Sequence, residues 1–192
     1  MCGRFASLSK EELLFLLEDN RELFDTNGPM EVSPGMEYPV ITKTGVMKML
    51  WGMKADWSKG QSIINARQET VNTKEFFKDS FIHRRCIVKV PSFYEWDKYK
   101  NKYVVRRNDG KLMNMAGIYT RIGNQNCFVV MTQEATTEFA PIHSRLPFIL
   151  EDEEVHEYLY GNDEGKWCHP KLINILMWDL ENPRKPEQAS LF

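Results

Sequence analysis

Short apolar runs of strand-forming residues dominate the middle of the chain. Runs of this length between turn residues are typical of β-strands. The runs are YPVIT (38–42), VMKMLWGM (46–53), RRCIVKV (84–90), KYVVRR (102–107), LMNMAGIYTRI (112–122), CFVVMTQ (127–133) and PFIL (147–150). Two intervening turn signals, NDG at 108–110 and GNQN at 123–126, predict hairpin links between neighbouring strands.

Helical patterns lie before, between and after these runs. Near the start, SKEELLFLLEDN offers Ser9 as an N-cap and Glu12 as its capping-box partner, ahead of a leucine-rich face. The stretch TKEFFKDSF predicts a second helix capped by Thr73. EDEEVHEYLYG predicts a third helix that ends at Gly161. Strands and helices together predict a fold of the α+β class.

The chain has 192 residues, which is enough for one core without a disulfide or metal. No linker or repeat divides it, so we expect one domain over 1–192, with its motifs in 1–150 and an acidic helix and tail in 151–192. No apolar run approaches the roughly 18 residues of a membrane span, and the start lacks the apolar stretch of a secretory signal. We expect a cytoplasmic monomer with no membrane contact.

Cysteine spacing bears on metals and redox state. Cys2, Cys86, Cys127 and Cys168 stand far apart, and no C-x-x-C pair occurs. The sequence therefore predicts reduced thiols rather than a disulfide framework, with no metal site and no cofactor.

Charge is spread unevenly, although the formal net charge is only −2. Residues 43–121 contain 17 Lys and Arg against 7 Asp and Glu, a balance of +10, whereas 151–192 contain 4 against 10, a balance of −6. The basic middle is typical either of solvated strand and loop faces or of a surface that contacts nucleic acid. Composition alone leaves both interpretations open.

Cys2 is the first candidate reactive residue. Interior cysteines are usually buried small hydrophobes, but a residue next to a chain end is seldom in the core. Because the second residue is small, Met1 can be removed, which would leave Cys2 with its α-amine and thiol on adjacent carbons. Such a terminus is a bifunctional nucleophile.

Polar residues within two strand-like segments are further candidates. In SIINARQETV, Asn65 faces a site or bonds to its own backbone in a turn, and Arg67 with Glu69 could form a surface ion pair. In PSFYEWDK, Glu95 lies between Tyr94 and Trp96. A carboxyl among rings has a raised proton affinity, which suits a general acid, but alternation also permits Glu95 to face solvent.

A histidine and two tryptophans complete the candidates. In PIHSRLPFIL, His143 stands two residues before Arg145, so both can point the same way from extended backbone. Histidine can transfer protons near neutrality, and arginine can bind a phosphate. In MLWGMKADWSK, Trp51 and Trp57 alternate with lysines and could stack on bases or pack in the core.

Together these stretches resemble the SOS-response-associated peptidase (SRAP) family, whose members cap abasic sites in single-stranded DNA through an N-terminal cysteine. The resemblance rests on motifs in a fixed order that cover most of residues 1–150. They are MCGRFA, WGMKADW, NARQET, FFKDSFIHRRCIVKVPSFYEW, MAGIYT and IHSRLPFIL. The family fold implied is a compact mixed domain around a strongly bent, barrel-like, mainly antiparallel sheet with flanking helices.

The resemblance also implies roles for residues. Cys2 would be the nucleophile, Asn65 would orient the substrate, Glu95 would be the acid or base, and His143 would assist. The predicted DNA-contacting residues are Arg4, Trp51, Trp57, Arg67, Arg84, Arg85 and Arg145. The expected partner is single-stranded DNA that contains abasic sites, and the protein would associate with the nucleoid during repair.

An abasic sugar in its open form carries an aldehyde. The α-amine of Cys2 would form an imine with it, and the thiol would close a five-membered thiazolidine. Two other functions stay open: a cysteine peptidase that acts on itself or on other proteins, with a possible lyase activity, and a noncovalent single-strand binder.

Overall fold

A computed structural model describes residues 2–17, 31–162, 165–169 and 175–181. Five of the described strands form a closed barrel. Its strands are β3 (Glu37–Thr42), β4 (Gly45–Trp51), β6 (Arg85–Val90), β9 (Met113–Ile122) and β10 (Gln125–Glu134). They pair in the order β10-β4-β3-β6-β9, and β9 pairs with β10 to close the ring. The β10–β4 pair is parallel and the others are antiparallel.

Three short strands extend the barrel sheet. They are β5 (Asn65–Arg67), β11 (Arg145–Pro147) and β12 (Ile149–Leu150). Strand β5 pairs in parallel with β10, while β11 pairs with β10 and β12 pairs with β9 in antiparallel fashion. Both β5 and β11 pair with β10 at Thr132, so they flank this residue on its two sides.

A second sheet is fully antiparallel and carries the start of the chain. It contains β1 (Phe5–Ala6), β2 (Glu31–Val32), β7 (Ser92–Trp96), β8 (Lys102–Arg107) and β13 (Leu176–Leu180). Its order is β13-β8-β7-β1-β2. Because β7 follows β6 directly, the chain passes from the barrel into this sheet just before Glu95.

Within the described ranges, three α-helices flank the sheets: α1 (Lys10–Leu17), α2 (Glu75–His83) and α3 (Asp152–Tyr160). Helix α1 begins with the predicted capping box, since the Ser9 N–H donates to Glu12 Oε2 at 2.7 Å and the Glu12 N–H donates to Ser9 Oγ at 3.2 Å. Among the described residues, no helix is long and apolar enough to cross a membrane.

The buried side chains form two clusters. One lies between the second sheet and the barrel and includes Cys2, Phe5 and Trp51. The other packs the barrel against α2 and α3 and includes Phe81 and Tyr158. Cys2 is therefore part of the first core, beside the sheet that carries Glu95.

The predicted α+β class and the barrel-like, mainly antiparallel sheet are confirmed. The GNQN turn does join the antiparallel pair β9 and β10, whereas the NDG turn crosses from one sheet to the other, so its hairpin prediction is wrong. The Thr73 cap is also wrong. Lys74 occupies the N-cap position of α2, and the Thr73 hydroxyl donates to the Thr70 carbonyl at 3.1 Å.

Candidate active site

Two strands from different sheets, β7 and β5, hold the backbone around Cys2. The Tyr94 N–H donates to the Arg4 carbonyl at 2.9 Å, and Phe5 is paired with Phe93, which attaches the chain start to β7. Asn65 Nδ2 donates to the Cys2 carbonyl at 2.9 Å, which ties the same segment to β5. Cys2 itself is fully buried, and its Sγ lies 4.0 Å from the Arg4 carbonyl oxygen.

Asn65 lies in strand β5, so the alternative of an isolated turn residue is wrong. Its amide nitrogen is used by Cys2, while its buried Oδ1 accepts no hydrogen bond from the described residues. A buried amide oxygen without a donor is costly, so this atom is available to a ligand that brings a hydroxyl or N–H group.

Glu95 faces the interior. Along β7 the exposed fraction alternates, so Phe93 and Glu95 are buried while Tyr94 and Trp96 lie half-buried on the other face. Glu95 is only 3% exposed, and the alternative in which it points into solvent is therefore wrong. A shift of one residue in this alternation would move the Glu95 carboxyl from the buried face of β7 to the other face.

Burial raises the pKa of Glu95 above its usual range, although the positive charge of His143 acts in the opposite direction. Burial also raises the pKa of the Cys2 thiol, and the nearby charge of Glu95 raises it further. Glu95 is thus close enough to interact electrostatically with both Cys2 and His143. A raised pKa favours the protonated forms of both the carboxyl and the thiol.

His143 is oriented by the strand that follows it. The Arg145 N–H lies 2.9 Å from His143 Nδ1, and the Arg145 carbonyl oxygen lies 3.2 Å from the same atom. Because a backbone N–H can only donate, the shorter contact favours the neutral ring with its proton on Nε2. The backbone N–H of His143 in turn donates to the Phe139 carbonyl at 3.2 Å. The backbone of Arg145 thus holds the Nδ1 side of the ring.

Glu69 pairs with Arg145 and not with Arg67. Arg145 donates to the two Glu69 carboxylate oxygens at 2.7 and 2.9 Å, and to the Thr132 carbonyl at 2.6 Å. Burial alone would raise the pKa of Glu69, but the Arg145 hydrogen bonds outweigh it and the pKa is lowered. Arg67 is exposed. The predicted Arg67–Glu69 pair is therefore wrong, and the Arg145 guanidinium is already engaged.

Two predicted DNA contacts are wrong because the side chains are buried. Trp51 is fully buried against Phe5 and Phe128, and its Nε1 donates to the Ile64 carbonyl at 3.1 Å. Arg85 is 2% exposed. Its guanidinium donates to backbone carbonyls at 2.8–3.1 Å, and these belong to Phe81, Tyr158 and Gly161. Both residues support the fold.

The other predicted contacts reach the surface to different degrees. Arg84 is tied to Asp79 and to the Ser80 and Tyr119 oxygens at the end of α2, so much of its donor capacity is used. Arg4 is 42% exposed, pairs with Glu31 at 2.9 Å and lies over the Trp96 ring.

Trp57 is the most exposed of the predicted aromatic contacts, at 66%. Its ring meets Phe76 of α2 edge to face, with centroids 5.5 Å apart. Sequence reasoning did not connect Phe76 with Trp57, nor Glu69 with Arg145. No local pattern joins residues 19 or 76 positions apart, so only the fold reveals these pairs.

No cluster of three His, Cys, Asp or Glu side chains suited to a metal ion occurs within the ranges that the structure describes. The fold and the site together define a small α+β barrel protein in which a buried thiol, a buried acid with a raised pKa and an oriented histidine lie near the chain start. The family model for the SOS response associated peptidase (SRAP) matches residues 1–177, so the chain belongs to this family.

Relatives with assigned names agree with this membership. The abasic site processing protein YedK of Escherichia coli strain K12 is 30% identical over 183 residues, covering 86% of this chain and 82% of YedK. The abasic site processing protein YoqW of Bacillus subtilis strain 168 is 31% identical over 193 residues, covering 89% and 81%.

Solved structures share the fold at lower identity. A protein from Bacteroides thetaiotaomicron superposes with a TM-score of 0.77 at 21% identity, covering 92% of this chain and 90% of that one. A phage-related protein from Bordetella bronchiseptica gives 0.72 at 21% identity, covering 93% of each chain. The resemblance drawn from the sequence motifs is thus confirmed for both family and fold.

Proposed function

We propose that the protein captures abasic sites in single-stranded DNA as a covalent thiazolidine crosslink through Cys2, after removal of Met1. The relatives YedK and YoqW, both named abasic site processing proteins, support this class of substrate. The observation that carries the proposal is the convergence of Cys2, Asn65, Glu95 and His143 from four separate segments of the chain.

The first step is attack of the Cys2 α-amine on the sugar aldehyde. A free α-amine has a pKa of about 7.7–8.0, so a substantial fraction is neutral near pH 7.5. The attack forms a C–N bond and gives a carbinolamine. Glu95, whose pKa is raised by burial, donates its proton to the carbinolamine hydroxyl, and water leaves to give a protonated imine and the Glu95 carboxylate.

The second step closes the ring. The Cys2 sulfur attacks the carbon of the protonated imine to form a C–S bond, and the C=N electron pair moves onto the nitrogen. The thiol proton passes to the Glu95 carboxylate, which restores its acid form. The thiazolidine contains the amine, the sulfur and the former aldehyde carbon, and no further group leaves. Closure removes the imine that would otherwise drive β-elimination and strand cleavage.

Asn65 and His143 have supporting roles. The unused Oδ1 of Asn65 accepts a hydrogen bond from a sugar hydroxyl, while its Nδ2 keeps the Cys2 carbonyl in place. His143, with its proton on Nε2, donates to the ring oxygen of the closed sugar and promotes its opening to the aldehyde.

The DNA strand would be held by exposed groups around the site. Arg4 and Arg67 provide cations for phosphates, and Trp57 provides a stacking face for a base. Contacts of this kind are independent of base sequence. We therefore expect binding to single strands with little sequence preference, by one copy of the chain per site.

The raised pKa of the Cys2 thiol favours this chemistry over a cysteine peptidase. A peptidase nucleophile reacts as a thiolate, and its environment normally lowers the pKa. Here burial raises it. A protonated thiol suits a sequence in which the amine reacts first and the sulfur attacks an imine already formed.

The test is denaturing electrophoresis of the Met1-processed protein with an oligonucleotide that carries one abasic site. We expect a heat-stable shifted band with wild type. We expect none with Cys2→Ala or with a form that retains Met1, and a normal band with the matched control Cys168→Ala. Cys2→Ser, which keeps the amine, should give a band only after borohydride reduction. A stable band with Cys2→Ala would contradict the proposal.

A further inference from the structure

Arg145 is anchored at both ends. Its backbone begins β11 and pairs with Glu134 of β10, and its N–H orients the His143 ring. Its guanidinium is only 12% exposed and reaches across β10 to Thr132 and Glu69. A side chain with this many charge-assisted hydrogen bonds is fixed in place, which also fixes the backbone that holds His143.

Glu69 lies on the opposite side of β10. It belongs to a one-turn helix, Gln68–Thr70, that directly follows β5. Because β5 carries Asn65 and β11 follows His143, the Glu69–Arg145 pair bridges the two segments that supply these side chains. The bidentate geometry sets both the distance and the angle between the segments.

We propose that Glu69 is a positioning residue, which acts through Arg145 to hold the His143 ring in its Nε2–H tautomer and to keep His143 in register with Asn65. This inference rests on the proposed function for its catalytic consequence. The positioning itself is a property of the free protein and can be measured without DNA.

The pair is expected to affect rate and binding in different ways. Loss of the Glu69 carboxylate loosens the His143 segment, and a displacement of about 1 Å at a reacting group can cost on the order of 100-fold in rate. The same change removes a negative charge and frees Arg145 for a phosphate. Noncovalent affinity for single-stranded DNA should therefore not weaken.

The first experiment measures the His143 tautomer by long-range ¹H–¹⁵N correlation spectra, at about two pH units above the ordinary imidazole pKa of about 6.5. Wild type should show the Nε2–H form. Glu69→Ala and the isosteric Glu69→Gln should both show a substantial share of the Nδ1–H form. The control Glu138→Gln, which makes the same charge change at an exposed position in the His143 segment, should match wild type.

The second experiment follows single-turnover crosslinking. We expect Glu69→Gln to lower the rate constant about 10-fold with the same final yield, because misfolding would lower the yield instead. The dissociation constant of Glu69→Gln for an intact single strand should be no larger than that of wild type. An unchanged tautomer in both Glu69 variants overturns the inference, whether or not crosslinking occurs. A changed tautomer in a protein whose wild type forms no crosslink would instead overturn the proposed function.

Discussion

Two polar regions of this protein shift the pKa of a carboxyl group in opposite directions. At the end of β8, Arg107 is 4% exposed and donates to both carboxylate oxygens of Asp109, at 2.8 and 2.6 Å, and to Glu151 at 3.2 Å. These hydrogen bonds lower the pKa of Asp109 far below its usual range. At the candidate site, burial instead raises the pKa of Glu95.

The difference shows that burial of a charged group does not by itself indicate reactivity. Arg107 is buried with carboxylates that match its charge, so the cluster is ionised, satisfied and structural. Burial raises the pKa of Glu95, which favours its protonated form. A protonated carboxyl that can give up its proton near neutrality is the feature that acid catalysis requires.

The largest expected effect comes from replacing the Glu95 carboxyl with an amide that cannot act as a general acid. In Glu95→Gln, the crosslinking rate constant should fall by about 100-fold, which is the low end of the range for a lost general acid. Wild type needs a neutral amine and a protonated Glu95, so its rate should rise and then fall as pH increases. The variant should lose the fall at high pH. Single-turnover rates across the pH range test this, and an unchanged fall would contradict the assignment.

The next effect should appear in stability alone. Arg107→Met keeps the apolar packing but leaves Asp109 and Glu151 without their cation. Because these carboxylates are partly exposed, we expect a loss of about 2 kcal/mol, below the 3–5 kcal/mol of a fully buried broken pair. Denaturant unfolding measures it. The crosslinking rate constant of the folded fraction should match that of wild type. A large fall would show that the Arg107 cluster is coupled to the candidate site.

The smallest effect is a change in stability with pH, of opposite sign in the two regions. Glu95 ionises at about pH 4.3 when unfolded but only at higher pH when folded, so wild type loses stability as pH rises above this value. Glu95→Gln avoids this loss and should melt higher than wild type at pH 7, with no gain near pH 3.

Asp109 provides the opposing case. Its folded pKa is lowered, so its contribution to stability is present above its unfolded pKa and is lost as pH falls through the folded value. Asp109→Asn should therefore melt lower than wild type at pH 7, and the two curves should converge in acid. Thermal melts of both variants from pH 3 to pH 7 make the comparison, and shifts of the same sign would contradict it.

Local signals predicted local structure well. The Ser9–Glu12 capping box and the GNQN turn each involve residues within a few positions, and both occur as expected. The alternation of β7 was visible in the sequence, but its phase was not. Packing of Phe93 against the core selects which face is buried, and Glu95 shares that face.

Long-range partners could not be predicted. Trp51 and Arg85 look like DNA-binding residues in sequence, yet Arg85 is held by carbonyls of Phe81, Tyr158 and Gly161 that only the packing of α2 and α3 brings together. Likewise, the Glu69–Arg145 pair depends on where β5 and β11 meet β10. Residue type indicates what chemistry is possible, whereas the fold determines whether the group is free to perform it.

The central claim concerns the atoms of Cys2 that become bonded to DNA. Mass spectrometry of the digested, heat-stable adduct tests it most directly. We predict that the adduct lies on the peptide that begins at Cys2, with the mass of peptide plus sugar remnant minus one water, and that neither its amine nor its thiol can be alkylated. An adduct on a lysine or on another cysteine, or a Cys2 thiol that is still alkylated, would contradict the account.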